Sequence, residues 1–354
     1  MNKFLILIFL VISVLSFTIS YQAANAASPG DIIVANVDVT STIFNQNPAG
    51  GNPTIIHQGA PYVTPSGVAI EPSTGDIIVA DRGANAIFRQ NPAGGIPTVI
   101  HQGAPYAGPF GVTIDLATGD IIVGDLRAIY RQNPAGGIPT IIHQGAPYLG
   151  LLLDLAYEPA TGDVIVAHGD PSIIFRQDLM GGPPTEVCRG IVFNNPESVV
   201  VEPSTGDIIV AVFGPSPEVT TIYRQDPFVC GDPPNPQRIP PPGEQYIGPH
   251  GVAIEPSTGD IIVVDVNLDT IFRQNPAGGN PTIIHSGSPY SFPADVTVIP
   301  ELTPVPVPDV VGGDFLPIET TALLLAGTQS FSWMIPVVLS ILGIGLFVVS
   351  RKSE

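Results

Sequence analysis

The chain has 354 residues, with 12 Lys or Arg against 31 Asp or Glu, and a formal net charge of −19. So acidic a surface repels phosphate backbones, which excludes nucleic acid as a partner and leaves solubility or attraction for divalent cations as its meaning. Gly (38) and Pro (40) are abundant while 44% of residues are hydrophobic. This combination excludes disorder and favours an all-β fold with many tight turns.

Residues 1–26 have the pattern of a secretory signal peptide. Lys3 precedes an apolar run from Phe4 to Ile19, and Ala24-Asn25-Ala26 follows as an A-x-A cleavage pattern. A charged start, an apolar middle and a small-residue exit are what export requires. We therefore expect an exported protein.

A repeat fills the chain from residue 27 to residue 300. Its most regular feature is Gly-Asp followed by aliphatic residues, which begins at Gly30, Gly75, Gly119, Gly162, Gly206 and Gly259. Repeats of roughly 40 to 45 residues built from strand-like segments are typical of propeller blades. The repeat therefore predicts six blades.

The copy from Gly67 to Tyr106 shows the parts of one blade. Strand-like segments cover residues 67–70, 76–80, 86–90 and 97–101, and turns rich in Gly and Pro separate them. Four antiparallel strands joined by tight turns make one propeller blade.

The two ends of the repeat array predict how the ring closes. The first Gly-Asp strand, residues 31–35, has no inner strand before it, and the last repeat is followed by an extra strand at residues 295–299. We predict that these two strands pair, because closure removes the open sheet edges. The fold class is thus all-β, a six-bladed propeller of four-stranded antiparallel blades.

The segment from residue 67 to 89 resembles an NHL repeat, with Gly-Val-Ala-Ile, then Ile-Ile-Val-Ala-Asp, then Ile-Phe-Arg, and residues 251–273 match the same pattern. The resemblance covers nearly all of the chain between residues 27 and 300. It implies the TolB-like superfamily of six-bladed propellers, which also holds gluconolactonase-type and streptogramin-lyase-type enzymes. The family's Asn-x-Arg before the third strand is degraded, because Ala86 follows Asn85. The resemblance therefore implies a fold more than a function.

The C-terminal region predicts a membrane anchor. Residues 301–330 form a Pro-rich stalk and juxtamembrane segment, and residues 331–350 are apolar. Roughly 20 residues span about 30 Å as a helix, the thickness of a bilayer core. Arg351 and Lys352 then place the tail, residues 351–354, in the cytoplasm and the propeller outside.

Candidate functional residues lie in two sets of loops that meet around the channel mouth on one face. We favour positions that differ between blades, because a single site on the axis must be asymmetric. The candidates are Asp125, His168, Glu197, His250 and Asp265. They would surround a divalent cation or form an acid–base pair; the alternative is a polar channel mouth without a ligand. No catalytic residue and no further cofactor is assigned.

Residues that recur in every regular blade are interpreted as structural. One set recurs at the end of the fourth strand: His57, His101, His143 and His285. Another recurs on the third strand: Arg89, Arg131, Arg176, Arg224 and Arg273. One residue per blade, far from the axis, is poorly placed to bind a single ion.

Cys188 and Cys230 are the two cysteines of the chain. Export would allow them to form a disulfide, but their spacing leaves open whether they lie close enough. A Pro-rich insertion, residues 233–242, follows in the fifth blade. It predicts either a loop on the binding face or a drifted connection.

Three functions are compatible with these features. The leading hypothesis is a non-enzymatic cell-surface propeller that presents a binding face for protein, glycan or envelope contacts. The second is a metal-dependent propeller enzyme of gluconolactonase or streptogramin-lyase type. The third is a structural envelope component that binds divalent cations weakly.

Overall fold

The computed structural model describes residues 27–301, apart from 149, 151, 170–171, 190–194, 217–218, 228–235 and 242–245. The expected signal peptide, stalk, membrane helix and tail lie outside these residues, as do residues 233–235 and 242 of the Pro-rich insertion. The described part of the chain is all-β, with no helix long and apolar enough to cross a bilayer.

The strands form six four-stranded antiparallel blades. Blade 1 contains β1 (Ile32–Asn36), β2 (Thr42–Gln46), β3 (Thr54–Gln58) and the last strand, β24 (Pro293–Val298). Blade 2 contains β4 (Pro65–Ile70), β5 (Ile77–Asp81), β6 (Ala86–Gln90) and β7 (Thr98–Gln102). Blade 3 contains β8 (Val112–Ile114), β9 (Ile121–Asp125), β10 (Ala128–Gln132) and β11 (Thr140–Gln144).

The other three blades repeat this order. Blade 4 contains β12 (Leu152–Glu158), β13 (Asp163–His168), β14 (Ile173–Gln177) and β15 (Thr185–Arg189). Blade 5 contains β16 (Pro196–Val201), β17 (Ile208–Val212), β18 (Thr221–Gln225) and β19 (Gln237–Arg238). Blade 6 contains β20 (Pro249–Ile254), β21 (Ile261–Asp265), β22 (Thr270–Gln274) and β23 (Thr282–Ser286).

Ring closure occurs as the sequence predicts. β24 pairs antiparallel with β1, and Ile33 lies opposite Thr297 while Val34 lies opposite Val296. The ladder continues past the strand, since the N–H of Ile299 donates to the carbonyl oxygen of Asp31 at 2.9 Å. The last strand of the chain is therefore the inner strand of the first blade, and the six-bladed prediction is confirmed.

The second strand of each blade is aliphatic on both faces because both faces are buried. In β1, Ile33 packs in a cluster with Val68 of the next blade. Val34 points the other way and packs with Val264 and Val296. Alternate residues of one strand thus serve two interfaces between blades, which is why the strand reads as a continuous apolar run.

The turn between the first and second strands needs glycine. In blade 2 the N–H of Gly75 donates to the carbonyl oxygen of Glu71 at 2.8 Å, and Gly75 has a φ of +76°. Residues with a β-carbon rarely adopt this conformation. This requirement explains why Gly precedes Asp in each repeat.

The repeated histidines tie neighbouring blades together. Nδ1 of His57 contacts the carbonyl oxygen of Gly95 in the next blade at 3.0 Å, and Nε2 contacts the carbonyl oxygen of Ala60 at 3.0 Å. His143 and His285 repeat both contacts. These contacts agree with the structural interpretation.

The repeated arginines pair with an acid at the end of the inner strand. Arg176 binds both carboxylate oxygens of Glu158, from Nε at 2.9 Å and Nη2 at 2.7 Å. In blade 1, Asn45 replaces the arginine and Ile299 replaces the acid. Both partners are lost together there, as expected for residues that stabilise each other.

The ring has two faces, which we name by their connections. The loop face is the end at which the inner strands (β4, β8, β12, β16, β20 and β24) begin and the second strands end. The turn face carries the Gly-Asp turns and the turns between third and fourth strands. Because β1 begins and β24 ends at the turn face, both ends of the described chain, Ala27 and Glu301, lie there.

Candidate functional site

The channel on the ring axis is closed at the loop face. The starts of the inner strands converge there and leave no room for a water molecule. The residues that line this narrow mouth include Ser66, Phe110, Glu197, His250 and Ala294. With Leu153 of blade 4 they are the six equivalent positions at the starts of the inner strands, one per blade.

Glu197 and His250 form a pair in this mouth. Nε2 of His250 lies 3.5 Å from Oε2 of Glu197, and Nδ1 lies 2.6 Å from the carbonyl oxygen of Ala294. A carbonyl oxygen only accepts, so Nδ1 carries a hydrogen and Nε2 faces the carboxyl group. Burial raises the pKa of Glu197, against the opposing effects of His250 and a hydrogen bond from Asn195. The pair can therefore hold a proton between the two side chains.

Aromatic rings cover the pair. The ring of His250 lies 6.3 Å from that of Phe110 and 5.9 Å from that of Phe292, between centroids. The guanidinium carbon of Arg82 lies 5.8 Å from the centroid of Phe110. Phe292 has a φ of +80°, an unusual conformation for a bulky residue. The backbone N–H of Phe292 donates a hydrogen bond to Oδ1 of Asp269 at 2.9 Å, which holds this conformation.

Asp125 and Asp265 end β9 and β21, and backbone amides occupy their carboxylates. Asp265 accepts from the N–H groups of Ile247 at 2.7 Å and Gly248 at 2.9 Å. Asp125 accepts from the N–H of Ala107 at 2.7 Å, and burial raises its pKa. Both side chains hold the loop that leads into the next inner strand, and neither lines the closed mouth.

His168 is fully buried within blade 4. Its ring stacks on Tyr148 at 6.0 Å and meets the edge of Phe175 at 5.9 Å, between centroids. Of the five predicted candidates, the structure thus brings Glu197 and His250 together and places the other three elsewhere. Across the described residues, no three His, Cys, Asp or Glu side chains are arranged to hold a metal ion.

Two further acids lie on the axis. Each follows by one residue the inner-strand position that Glu197 and His250 occupy in their own blades. The first position of each inner strand's apolar segment is glycine in three blades, at Gly67, Gly111 and Gly251, whereas blade 5 has Ser198. Blades 1 and 4, on opposite sides of the ring, have Asp295 and Asp154.

The glycines allow the inner strands to approach each other. A β-carbon at Gly67 would lie 2.2 Å from the carbonyl oxygen of Phe110, and one at Gly111 would lie 2.7 Å from the α-carbon of Asp154. Such distances are too short for any side chain. The channel is therefore narrowest at the level of the two carboxyl groups, which line both its halves.

Backbone and hydroxyl donors hold both carboxyl groups. Asp154 accepts from Oγ of Ser198 at 2.6 Å and from the N–H of Val199 at 3.0 Å. Asp295 accepts from the N–H of Val68 at 2.8 Å. Burial raises the pKa of Asp154 to about 6. Burial also raises the pKa of Asp295, and the charge of Asp154 raises it further.

Toward the turn face the channel opens into a cavity of about 300 Å³. Its wall is mostly aliphatic and comes from all six inner strands. Examples, one per blade, are Ile70, Ile114, Ala156, Val201, Ile254 and Val298. The cavity thus has a wall of aliphatic and polar surface and ends at two carboxyl groups.

Cys188, at the edge of blade 4, is buried and disulfide-bonded. The chain's other cysteine, Cys230, lies outside the described residues. The sequence left it undecided whether a disulfide forms. The structure shows that Cys188, the one cysteine that it describes, is disulfide-bonded.

The chain matches no family model and no curated protein. It is similar to a chain of a crystallised nidogen–laminin complex, with 14% identity over 76% of this chain and 98% of that one, at a TM-score of 0.61. It is also similar to virginiamycin B lyase from Staphylococcus aureus crystallised with quinupristin (14%, 77% and 90%, TM-score 0.51). A third is a PQQ-bound aldose sugar dehydrogenase from Streptomyces coelicolor (16%, 77% and 90%, TM-score 0.53).

At this level of identity the similarities establish the class of protein, a six-bladed β-propeller. They do not select one function among a nidogen–laminin complex, a lyase and a dehydrogenase, because one propeller scaffold supports many activities.

Proposed function

We propose that the protein is a non-enzymatic propeller that binds a protein partner on its loop face. The observation that carries the proposal is a group of exposed apolar side chains in the loops of that face, each between 43% and 103% exposed. We call this group the apolar loop surface. Its members are Val39, Val63, Leu126, Phe213, Ile247 and Phe292.

Contacts connect the centre of this surface. Phe292 lies against His250, and His250 lies against Phe110. Arg82 covers the other side of Phe110, and Gly108 lies between the side chains of Arg82 and Leu126. These contacts link Phe292 with Leu126, two members of the apolar loop surface. Exposed apolar side chains grouped with polar residues on one face mark interaction sites.

The apolar residues of the turn face are arranged differently. Ile96, Ile138 and Met180 are each more than 80% exposed, but they stand one per blade on the turns between third and fourth strands. Neighbouring turns on that face carry the repeated acids, such as Asp76 and Asp120. Isolated apolar residues among charges are common on soluble proteins and indicate no partner.

The ends of the described chain also favour the loop face. Ala27 and Glu301, where the described part of the chain begins and ends, both lie at the turn face, opposite the apolar loop surface. We propose with this that the protein is exported through residues 1–26 and anchored by residues 331–350, with the propeller outside the cell. Its partner would then belong to the cell surface or its surroundings.

The geometry supports binding better than catalysis. Glu197 and His250 are the one pair of candidates that could act as acid and base, and Phe110 and Phe292 cover them in a mouth that admits no water. An enzyme of the lyase or gluconolactonase type would need substrate access to groups in this mouth. A binding surface needs no such access.

Site-specific photo-crosslinking tests the proposal. A photoreactive amino acid is placed at Leu126 or Phe213 on the loop face, and at Ile138 or Met180 on the turn face as matched controls. Intact producing cells are irradiated, and adducts are identified by mass spectrometry.

We expect the two loop-face positions to yield the same protein partner and the two turn-face positions to yield none. The proposal fails if both faces give the same adducts, or if the loop face gives none under conditions in which the protein is exported. Substrate turnover that Glu197→Gln abolishes would favour the enzyme instead.

A further inference from the structure

We propose that the turn-face cavity of the channel is a binding site for an aliphatic primary ammonium ion, with its charged end between Asp154 and Asp295 and its alkyl chain along the channel wall. This site is separate from the apolar loop surface, because the closed mouth lies between them. The proposal does not depend on the proposed function.

The cavity has the size and wall of a small-molecule site. Its volume of about 300 Å³ lies at the lower end of ligand pockets. From Asp154 to Tyr157 the inner strand advances three residues, a depth of about 10 Å. Aliphatic side chains from every blade face this space. A short unbranched alkyl chain fits a cavity of this volume, and its burial against the aliphatic part of the wall is favourable.

The end of the cavity is acidic and has no basic residue. Asp154 and Asp295 are each 9% exposed, and both line the cavity. Their donors are backbone amides and the hydroxyl of Ser198. No Lys, Arg or His is among the described residues that line the cavity.

The nearest basic side chain on the axis is His250, across the closed mouth. Its two ring nitrogens are occupied by Glu197 and by the carbonyl oxygen of Ala294. A buried carboxylate without a cation is costly, so the pair favours a proton or a cation that arrives through the cavity.

An ammonium group suits this end better than a metal ion. Two carboxyl groups and one hydroxyl provide fewer oxygen ligands than Ca²⁺ takes in proteins, and no three His, Cys, Asp or Glu side chains of the described residues are arranged to hold a metal ion. An ammonium carries three N–H donors and no acceptor, and it can donate to both carboxyl groups at once. Burial raises the pKa of both carboxyl groups, and the charge of Asp154 raises that of Asp295 further. An ammonium between them would favour their ionised forms.

Calorimetric titration of the full-length protein with three probes of equal chain length tests the inference. n-Hexylamine is cationic at pH 7.5, 1-hexanol is neutral and hexanoate is anionic. We expect n-hexylamine to bind at least tenfold more tightly than 1-hexanol, and hexanoate to show no binding. Affinity for the amine should fall as the pH is lowered to 5, because the carboxyl pair becomes neutral.

Two variants separate the parts of the site. Asp295→Asn should weaken n-hexylamine binding at least tenfold, leave 1-hexanol binding within twofold and flatten the pH dependence of amine binding. A pH dependence that came from His250 and Glu197 would persist in this variant. Ala253→Leu narrows the wall without touching the carboxyl groups and should abolish binding of both the amine and the alcohol. Ile138→Leu, outside the cavity, is the control.

Equal affinity for hexylamine and hexanol would show an apolar cavity without cation recognition and would overturn the inference. Binding of hexylamine that Ala253→Leu leaves unchanged would place the amine elsewhere and would overturn it as well. If Asp295→Asn does not fold, the probe series and Ala253→Leu still decide. Neither result bears on partner crosslinking at the loop face.

Discussion

The buried carboxyl pair predicts an unusual dependence of stability on pH, which Asp154→Asn isolates. In the native protein, burial raises the pKa of Asp154 from 3.8 to about 6, against hydrogen bonds from Ser198, Val199 and Leu155 that lower it. In the unfolded chain the group has its ordinary pKa. Between these values the native state binds more protons than the unfolded state, so the free energy of unfolding falls as the pH rises.

The magnitude follows from the size of the shift. A displacement of about two pKa units corresponds to ~3 kcal/mol at about 1.4 kcal/mol per unit. This stabilisation is fully present below about pH 4 and is lost as the pH rises through about 6. Because the pKa of Asp295 is raised as well, its effect has the same sign and extends the loss to higher pH.

Urea denaturation of the wild type and Asp154→Asn at intervals from pH 4 to pH 8 measures the effect. Asn does not titrate, so the wild-type free energy of unfolding minus that of the variant should fall by ~3 kcal/mol across this range. Acids that pair with arginine give the free energy of unfolding the opposite dependence on pH. Because the wild type and the variant share these acids, their contribution cancels in the difference. Glu301→Gln, at an exposed carboxylate, controls for loss of a charge. A difference that is flat, or that rises with pH, would refute the reasoning.

Three further predictions concern the ring. Val296→Ala should destabilise the protein by about 2 kcal/mol, whereas Ile283→Ala on an outermost strand should cost under about 0.5 kcal/mol; equal losses in urea titrations would argue against closure by β24. Arg176→Met should cost about 3–5 kcal/mol because Glu158 stays buried and unpaired, and adding Glu158→Leu should restore most of it; an additive double variant would contradict that pairing. When the unreduced, unfolded chain is treated with an alkylating reagent, no free thiol should react, because Cys188 is bonded to the only other cysteine. A free thiol would refute this disulfide.

The architecture could be predicted because each blade repeats the same local solution. Gly75 and its equivalents mark turns that need a positive φ, and the aliphatic second strands mark burial on both sides. The unmatched strand at residues 295–299 had one vacant place in the ring, beside residues 31–35. Local chemistry and topology agree at every blade, which is why counting repeats also predicts closure.

The site was less predictable because side chains near the axis depend on which way a short loop turns. Asp125 and Asp265 follow strands that end at the channel mouth, but backbone amides of the next loop bind their carboxylates. Sequence spacing does not show this, since the donors lie in chain that carries no distinctive residue. His168 similarly turns into the blade, between aromatic rings.

The axial acids carried a signal that the sequence analysis did not use. Gly67, Gly111 and Gly251 mark a repeat position where no side chain fits. Asp154 and Asp295 break that pattern in two opposite blades. Apart from the two acids, this position holds glycine in three blades and Ser198 in blade 5. Because the inner strands lie so close together there, a charged side chain must face the axis. The sequence analysis compared the blades at the position of Glu197 and His250, which is one residue before this one.

Affinity measurement on loop-face variants tests the central claim, that the loop face is the partner surface, most directly. Once crosslinking has identified the partner, its dissociation constant is measured for Phe213→Ser with Phe292→Ser, and for Ile138→Ser with Met180→Ser on the turn face. Loss of two exposed aromatic anchors should weaken binding at least tenfold, whereas the turn-face pair should change it less than twofold. Equal effects on the two faces, or a loss confined to the turn-face pair, would contradict the account.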